Sequence, residues 1–440
     1  MPGNTTQSQS IGLVALVNIG TAVVGVAQAF AVGLLFGTTA GIEIYFGAIA
    51  FYQSMVGLMQ TGQIAEMFTP LYHELKVSHG SGTAFDLLSV LMNWMIIAAF
   101  AFSGVLFFAA AYIVPLTVPG FDSERLAECV LMFQWIVPLL SMNVVLSLLS
   151  SLMAGEKQFV AQEICKLFCL ILGLVLIVSL AGIFDAWVMI GSLWVSTLTN
   201  LALFAVLVYR LGYRYRPIMF HPDFSVRQIF INVPSVFGYV FMTQLYSIAL
   251  TAGLSMLPQG SLAIFTYAWK ISGRISSILV RPIATVFFNH FSSALANGDL
   301  AIANLTRKAL SISLVFSTFA CLITLTGGFA GLKALWLSPK FPEADVFRTY
   351  ILICVLCFLP LISGAGLIFR KINMSHQLVR PQYFLLTLVQ LISALLAYFL
   401  IEPWGLVGAV TVAVLNTVLI GCASAILLIN KTPGSFSIYR

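Results

Sequence analysis

The chain has 440 residues, 60% of them hydrophobic and 8% charged, with a formal net charge of +6. Mean hydropathy is +1.02. This composition excludes an ordinary soluble domain, and charges scattered among short loops give no coherent basic face for a nucleic acid.

Taken in chain order, the apolar runs predict about twelve membrane crossings, each long enough for a hydrocarbon core of about 30 Å. They cover approximately 10–36, 42–68, 85–113, 127–153, 160–182, 186–209, 228–254, 262–289, 303–328, 347–370, 381–400 and 405–429. The first run lacks the basic flank of a cleavable signal peptide and is read as a retained helix. Short connections such as Gly37–Gly41 and Gly155–Phe159 make successive helices antiparallel neighbours. The least apolar connection is Arg210–Arg227, RLGYRYRPIMFHPDFSVR, halfway along the chain. The expected fold is an all-α polytopic membrane protein with two six-helix lobes around a central cavity. Residues 1–209 form the first lobe, 210–227 a basic cytoplasmic linker, and 228–440 the second lobe.

Lys and Arg placement sets the expected orientation. With a cytoplasmic N-terminus, the inner side holds Lys76, Lys157, Lys166, Arg210, Arg214, Arg216, Arg227, Arg307, Lys308, Arg370, Lys371, Arg380, Lys431 and Arg440. The outer side holds only Arg125, Lys333, Lys340 and Arg348. Both termini are therefore expected in the cytoplasm. Traces of a repeat link the halves. The fourth span ends in the turn Gly155–Gln162 (GEKQFVAQ) and the tenth in Ser375–Gln382 (SHQLVRPQ). Each turn precedes one apolar span and then a small-residue helix, Gly191–Asn200 or Gly408–Asn416. Duplicated halves are common in transporters, whose substrate site then lies at the repeat interface.

The eighth span carries three cations, Lys270, Arg274 and Arg281. Each costs roughly 2.5–3.5 kcal/mol at a bilayer centre unless water, an anion or an acid meets it. Their spacing places them on one helix face, with about 16 Å between the first and the last. Such a stripe suits an anionic membrane-resident substrate; the alternative is pairing with buried acids such as Glu43 or Glu66. Intramembrane Gln28, Gln53, Gln60 and Gln244 are candidate sugar contacts, or else hydrogen-bonding glue between helices. Glu43 is a candidate gate or charge partner.

Other chemistry finds little support. No Walker A or dinucleotide fingerprint is present, so neither a nucleotide nor any other cofactor is expected. Cys354 and Cys357 form a CxxC inside an apolar helix with no second pair, and read as packing residues. His73, His79, His221, His290 and His376 lack metal-ligand spacing, and no metal site is expected. Glu163 and Lys166 read as a local pair. No catalytic triad or paired carboxylate is arguable, and the chain is not expected to be an enzyme.

The stretch Leu35–Leu75 resembles the first-to-second helix region of the MurJ (MviN) lipid II flippases, of the multidrug/oligosaccharidyl-lipid/polysaccharide exporter superfamily. The matching points are Leu35-Phe36-Gly37, Glu43 (usually Asp), Gly62, Phe68, Pro70 and Glu74. A second region resembles the family through Pro234, Gln244-Leu245, Leu257-Pro258-Gln259-Gly260-Ser261, Tyr267-Ala268, Phe291-Ser292 and Gly298-Asp299. The departures fall on charged positions. Family arginines of the first two helices become Ala22, Gln28 and Ala50, and a neighbouring acid becomes Ala29. Tyr246 and Leu250 replace an Asn and an Asp, and Trp269-Lys270 replaces Asp-Arg. Arg274 and Arg281 are additional to the family pattern.

The resemblance implies a flippase that moves a lipid-linked cell-envelope glycan precursor by alternating access. The expected partners are a polyprenyl-pyrophosphate-linked glycan, membrane lipids and envelope-synthesis enzymes. The alternatives are a multidrug antiporter of the same fold, which the cationic eighth span disfavours, and a non-transporting scaffold.

Overall fold

The long runs are apolar on every face, so in lipid each must close its backbone hydrogen bonds internally as a helix. The computed structural model describes residues 7–59, 63–221, 234–274, 302–375 and 378–431. In chain order the helices are α1 (Gln7–Phe36), α2 (Ala40–Met59), α3 (Gln63–Ser78), α4 (Gly80–Thr117), α5 (Ser123–Ile136), α6 (Leu139–Gly155), α7 (Phe159–Phe184) and α8 (Trp187–Arg210). They continue with α9 (Pro234–Ser255), α10 (261–274), α11 (Ile302–Trp336), α12 (Glu343–Leu356), α13 (Leu359–Ser375) and α14 (Val379–Lys431). Seven helical stretches among the described residues are long and apolar enough to cross a membrane, taking α5 and α6 together as one. The 53 residues of α14 would extend about 80 Å if straight, more than two hydrocarbon thicknesses. Non-helical geometry at Gly405 divides it.

The second expected span, read as 42–68, is described as α2 to Met59 and as α3 from Gln63; α3 is amphipathic and buries Phe68, Tyr72 and Leu75. Two expected spans are interrupted. The fourth breaks between Ile136 and Leu139, where Pro138 supplies no N–H to the helical ladder. The tenth breaks between Leu356 and Leu359, beside Pro360.

The chain divides into two units, one of Met1–Val24 with Ile44–Phe237, the other of Gly25–Glu43 with Gly238–Arg440. Their elements recur at an offset of 220 residues: α5 and α12 start at Ser123 and Glu343, α6 and α13 at Leu139 and Leu359, α7 and α14 at Phe159 and Val379. The break after α7 recurs too. Asp185 has φ 46°, ψ −139°, and Gly405 has φ 59°, ψ −138°.

Within the first unit, α3, α4 and α6 enclose a core that includes Phe68, Tyr72, Leu88, Leu91, Leu149 and Leu152. Tyr72 and Lys76 on α3 both donate to Glu156 Oε1 just after α6. Burial alone would raise the Glu156 carboxyl, but the hydrogen bonds from Lys76 and Tyr72 and the Lys76 charge outweigh it and hold the carboxyl below its ordinary value. Residues 213–221, within the expected linker, are strapped along α4. Asn93 Nδ2 donates to Arg216 O at 3.3 Å and Ile218 O at 2.7 Å. Trp94 Nε1 donates to Met219 O at 3.0 Å, and Arg216 pairs with Asp86 at 3.2 Å.

Within the second unit, α13 and α14 approach backbone to backbone at Gly366 and Gly421, the close packing that small residues permit in lipid. Asn373 Nδ2 donates to Gln382 Oε1 at 2.5 Å and to Ser424 O at 2.8 Å, and Gln382 Nε2 donates to Ser424 Oγ at 3.0 Å. These buried polar groups lie where the resembling turns were read in the sequence.

Candidate functional site

The helix that carries the cations starts from a tight turn. Gly260 has φ +94°, and its carbonyl accepts the first helical bond from Ile264 N at 2.9 Å. The first N–H groups of a helix have no partner within it. Here Glu43 supplies one from α2: its Oε1 accepts from Leu262 N at 3.0 Å and Ala263 N at 3.3 Å. Glu43 is 2% exposed. A carboxylate at this end also meets the positive pole of the helix dipole. Glu43, expected as a gate or charge partner, therefore has backbone donors at the head of the cationic helix.

One turn on, Tyr267 is fully buried and donates its hydroxyl to Gly37 O at 2.9 Å. Gly37 ends α1 with φ +57°, and a side chain there would meet Lys340 O at 1.9 Å. Thr38 N donates to that same carbonyl at 3.0 Å, and Thr38 Oγ1 donates to Asp345 Oδ2 at 3.0 Å. Trp336 and Phe341 stack with centroids 5.1 Å apart, and Tyr267 lies 5.4 Å from Trp336. Trp336 Nε1 donates to Phe30 O at 2.9 Å. The segment Gly25–Glu43 is thus bound to its unit along its length.

Lys270 and Arg274 follow on α10, both half-buried and one turn apart. Like charges at this spacing repel. Arg274 lies against α1 at Gly25: a Cβ built on that glycine would stand 2.8 Å from both Cζ and Nε of the guanidinium. Only the missing side chain gives the cation this seat. Gln28, half-buried, is three residues further along α1 and on the same face as Gly25. Gly25 carried no signal in the sequence beyond its place as a small residue inside an apolar helix.

Other expected contacts lie on other helices. Gln244 is half-buried on α9, and Gln53 is exposed on α2 in the first unit. Arg281, Gln60 and the side chain of Glu66 lie outside the described residues. Lys166 and Glu163 pair at 2.8 Å, as their spacing suggested. Cys357 Sγ lies 3.6 Å from Thr324 Oγ1 on α11, and Cys321 Sγ contacts Cys357 O at 3.0 Å; the CxxC thus packs between helices of its own unit.

The arrangement presents two cations and an amide beside a glycine seat, on a helix tied down at its head. It can bind an anion through charge and hydrogen bonds; among the described residues no side-chain pattern for bond cleavage accompanies it. The sequence matches the family profile described as lipid II flippase MurJ over residues 32–438. No curated protein sequence matches it significantly. Among solved structures it is similar to a lipid II flippase MurJ in an inward closed conformation, with TM-score 0.76 and 15% identity, over 96% of this chain and 87% of that one. It is similar to an inward-facing multidrug resistance MATE family transporter of the MOP superfamily, with TM-score 0.73 and 12% identity, over 97% and 100%. A MOP superfamily transporter from Pyrococcus furiosus is similar with TM-score 0.68 and 13% identity, over 97% and 96%.

Proposed function

The chain belongs to the MurJ lipid II flippase family, and from that premise we propose that it moves a lipid-linked cell-envelope glycan precursor across the inner membrane by alternating access. The substrate is lipid II or another undecaprenyl-pyrophosphate-linked saccharide. The observation that carries this reading is the seat of Arg274 on Gly25, one turn from Lys270. A pyrophosphate bound there relieves the repulsion between the two cations. Arg274 offers a planar fork for two phosphate oxygens, and Lys270 a compact point charge. By its sequence spacing Arg281 shares the cationic face, and Gln28, Gln244, Gln53 and Gln60 are the candidate sugar contacts. Glu43 holds the head of the cationic helix in place.

Along the sequence the two lobes are 1–209 and 228–440, joined by 210–227, with the segment Gly25–Glu43 of the first carried in the second compact unit, and both termini are cytoplasmic. A reporter fused after Arg440 is expected to read as cytoplasmic, and a periplasmic signal there would overturn this orientation. No nucleotide-binding motif accompanies the site. The drive is an ion gradient, the membrane potential or consumption of product outside. A charge crossing the membrane potential is worth about 2.3 kcal/mol per 100 mV. Envelope-synthesis enzymes are the natural partners that supply and consume the substrate.

Flipping of a labelled lipid-linked glycan in proteoliposomes tests the assignment. Arg274→Ala is expected to abolish transport with little loss of thermal stability, and Arg274→Lys to retain part of it. Normal transport by Arg274→Ala, with a lowered melting temperature, would make the arginine a structural residue and remove the site.

A further inference from the structure

In the first unit, away from the cationic helix, α4, α6 and α8 leave an open apolar cleft of about 250 Å³. Met92, Leu149 and Ala205 are among its walls, and Tyr209, Tyr213 and Tyr215 stand at one end. Along α8 the lining runs from Leu201 to Tyr209, a rise of about 12 Å. Ala205 and Val206 are exposed, so the cleft opens sideways along α8, a helix long and apolar enough to cross a membrane.

The tyrosine end has the marks of a membrane interface. Tyr209, Tyr215, Trp94 and Phe220 are all exposed there, as in an aromatic belt. Trp94 and Phe220 rings lie 5.9 Å apart. Three arginines accompany them: Arg210, Arg214 and Arg216, all exposed. Arg216 pairs with Asp86. Arg214 is posed differently. Its guanidinium stacks on the Tyr209 ring, with Cζ 3.5 Å from the centroid. Its Nη1 donates to Tyr209 O at 2.8 Å and Tyr213 O at 3.1 Å. Tyr209 and Tyr213 both line the cleft, so a cation held by carbonyls and a ring is fixed at its mouth. The strap along α4 holds Tyr213 and Tyr215 in turn: Tyr213 OH lies 3.0 Å from Ser89 Oγ, and Tyr215 OH donates to Asn93 Oδ1.

We infer that this cleft is a binding site for an anionic phospholipid of the surrounding bilayer. One acyl chain fills the apolar groove along α8, and the phosphate rests on Arg214 and Arg210. Basic pockets at the ends of transmembrane helices recognise anionic headgroups by this combination of charge and buried chain. The charge complementarity selects the headgroup, and the lateral opening selects a membrane lipid over a soluble anion. The site is independent of the transport reading, since none of its residues belongs to the cationic helix.

The full-length protein, stripped of lipid in detergent, would be titrated with phosphatidylglycerol and with phosphatidylcholine, and bound lipid counted by native mass spectrometry. Phosphatidylglycerol is expected to bind at least tenfold more tightly than phosphatidylcholine and to raise the melting temperature. The pair Arg210→Gln and Arg214→Gln should erase that preference. Ala205→Trp should block the groove and lower retention severalfold; Ala205→Leu, a smaller filler on a lipid-facing position, serves if the tryptophan variant fails to fold. Equal binding of the two lipids would overturn the headgroup assignment, and unchanged retention in the filled variants would overturn the groove. A polyprenyl pyrophosphate that displaces phosphatidylglycerol would show that the cleft belongs to the transported lipid instead.

Discussion

Gly25→Ala separates the seat of the cation from the stability of the helix that provides it. A methyl group at position 25 would lie 2.8 Å from Cζ and Nε of Arg274. Carbon contacts settle near 3.5 Å, so the guanidinium must retreat by about 0.7 Å. It can, because it ends a flexible stem; an off-rotamer torsion costs about 0.5–1.5 kcal/mol. Alanine in a helix interior recovers about 0.8–1.0 kcal/mol over glycine. The two nearly cancel, and the melting temperature should stay within a few degrees of wild type. Transport should not. A bidentate phosphate contact tolerates little displacement, and flipping should fall at least tenfold, about 1.4 kcal/mol of lost interaction. Gly25→Leu should fall further. The assay is the proteoliposome flipping rate alongside thermal melting in detergent. If Gly25→Ala flips at the wild-type rate, the close approach of Arg274 to α1 has no part in transport and the reasoning fails.

Gly33→Ala, eight residues along the same helix, should behave in the opposite way. Its methyl would stand 2.5 Å from the buried Trp336 ring, which cannot retreat, so thermal unfolding should show a loss of about 1–3 kcal/mol. Glu43→Ala should cost about 0.5–2 kcal/mol as a lost cap, and Glu43→Gln less, because an oxygen acceptor remains; equal stability of both variants with wild type would refute the capping role. Glu156 has a depressed carboxyl pKa, so its contribution is complete above its ordinary value of 4.5 and is lost as pH falls through the lowered one. The melting difference between wild type and Glu156→Gln should therefore be largest near neutral pH and vanish in acid; a difference constant with pH would contradict the pairing with Lys76.

Hydropathy made the helices legible because each crossing must be apolar over about 20 residues whatever it packs against. It could not mark the break at Pro138, because the window that finds a span averages over it. The repeat was visible in the turns at Gly155 and Ser375 because polar residues interrupt two apolar runs at the same offset. It was invisible at the matching backbone break, where Asp185 in one half stands for Gly405 in the other. The cations announced themselves through the cost of charge in lipid and the period of the helix. Their seat did not, because Gly25 lies 249 residues before Arg274, and nothing in a local pattern joins them. Glu43 was conspicuous as a buried acid, but the two backbone N–H groups it accepts from carry no signal, because every sequence contains them.

Gly25 and Gly33 make two notches on one helix, about 12 Å apart along its axis, and each receives a side chain of the same unit. The difference between the occupants divides their tasks. Trp336 is fully buried, stacked on Phe341 and hydrogen-bonded to Phe30 O. A rigid indole in a glycine notch admits one register, so this contact sets where α1 lies. Glu43 and Tyr267 tie the same α1–α2 segment to the first two turns of α10. Once those contacts fix α1 against α10, the position of Gly25 opposite Arg274 follows. The guanidinium is half-buried at the end of a flexible stem, unlike the rigid, fully buried indole. A group that must take up an anion and release it needs a defined place and a low cost of adjustment. The aromatic notch supplies the first and the glycine seat of Arg274 the second, so Trp336→Ala should lower the proteoliposome flipping rate through position, although its notch lies about 12 Å along α1 from that of Arg274.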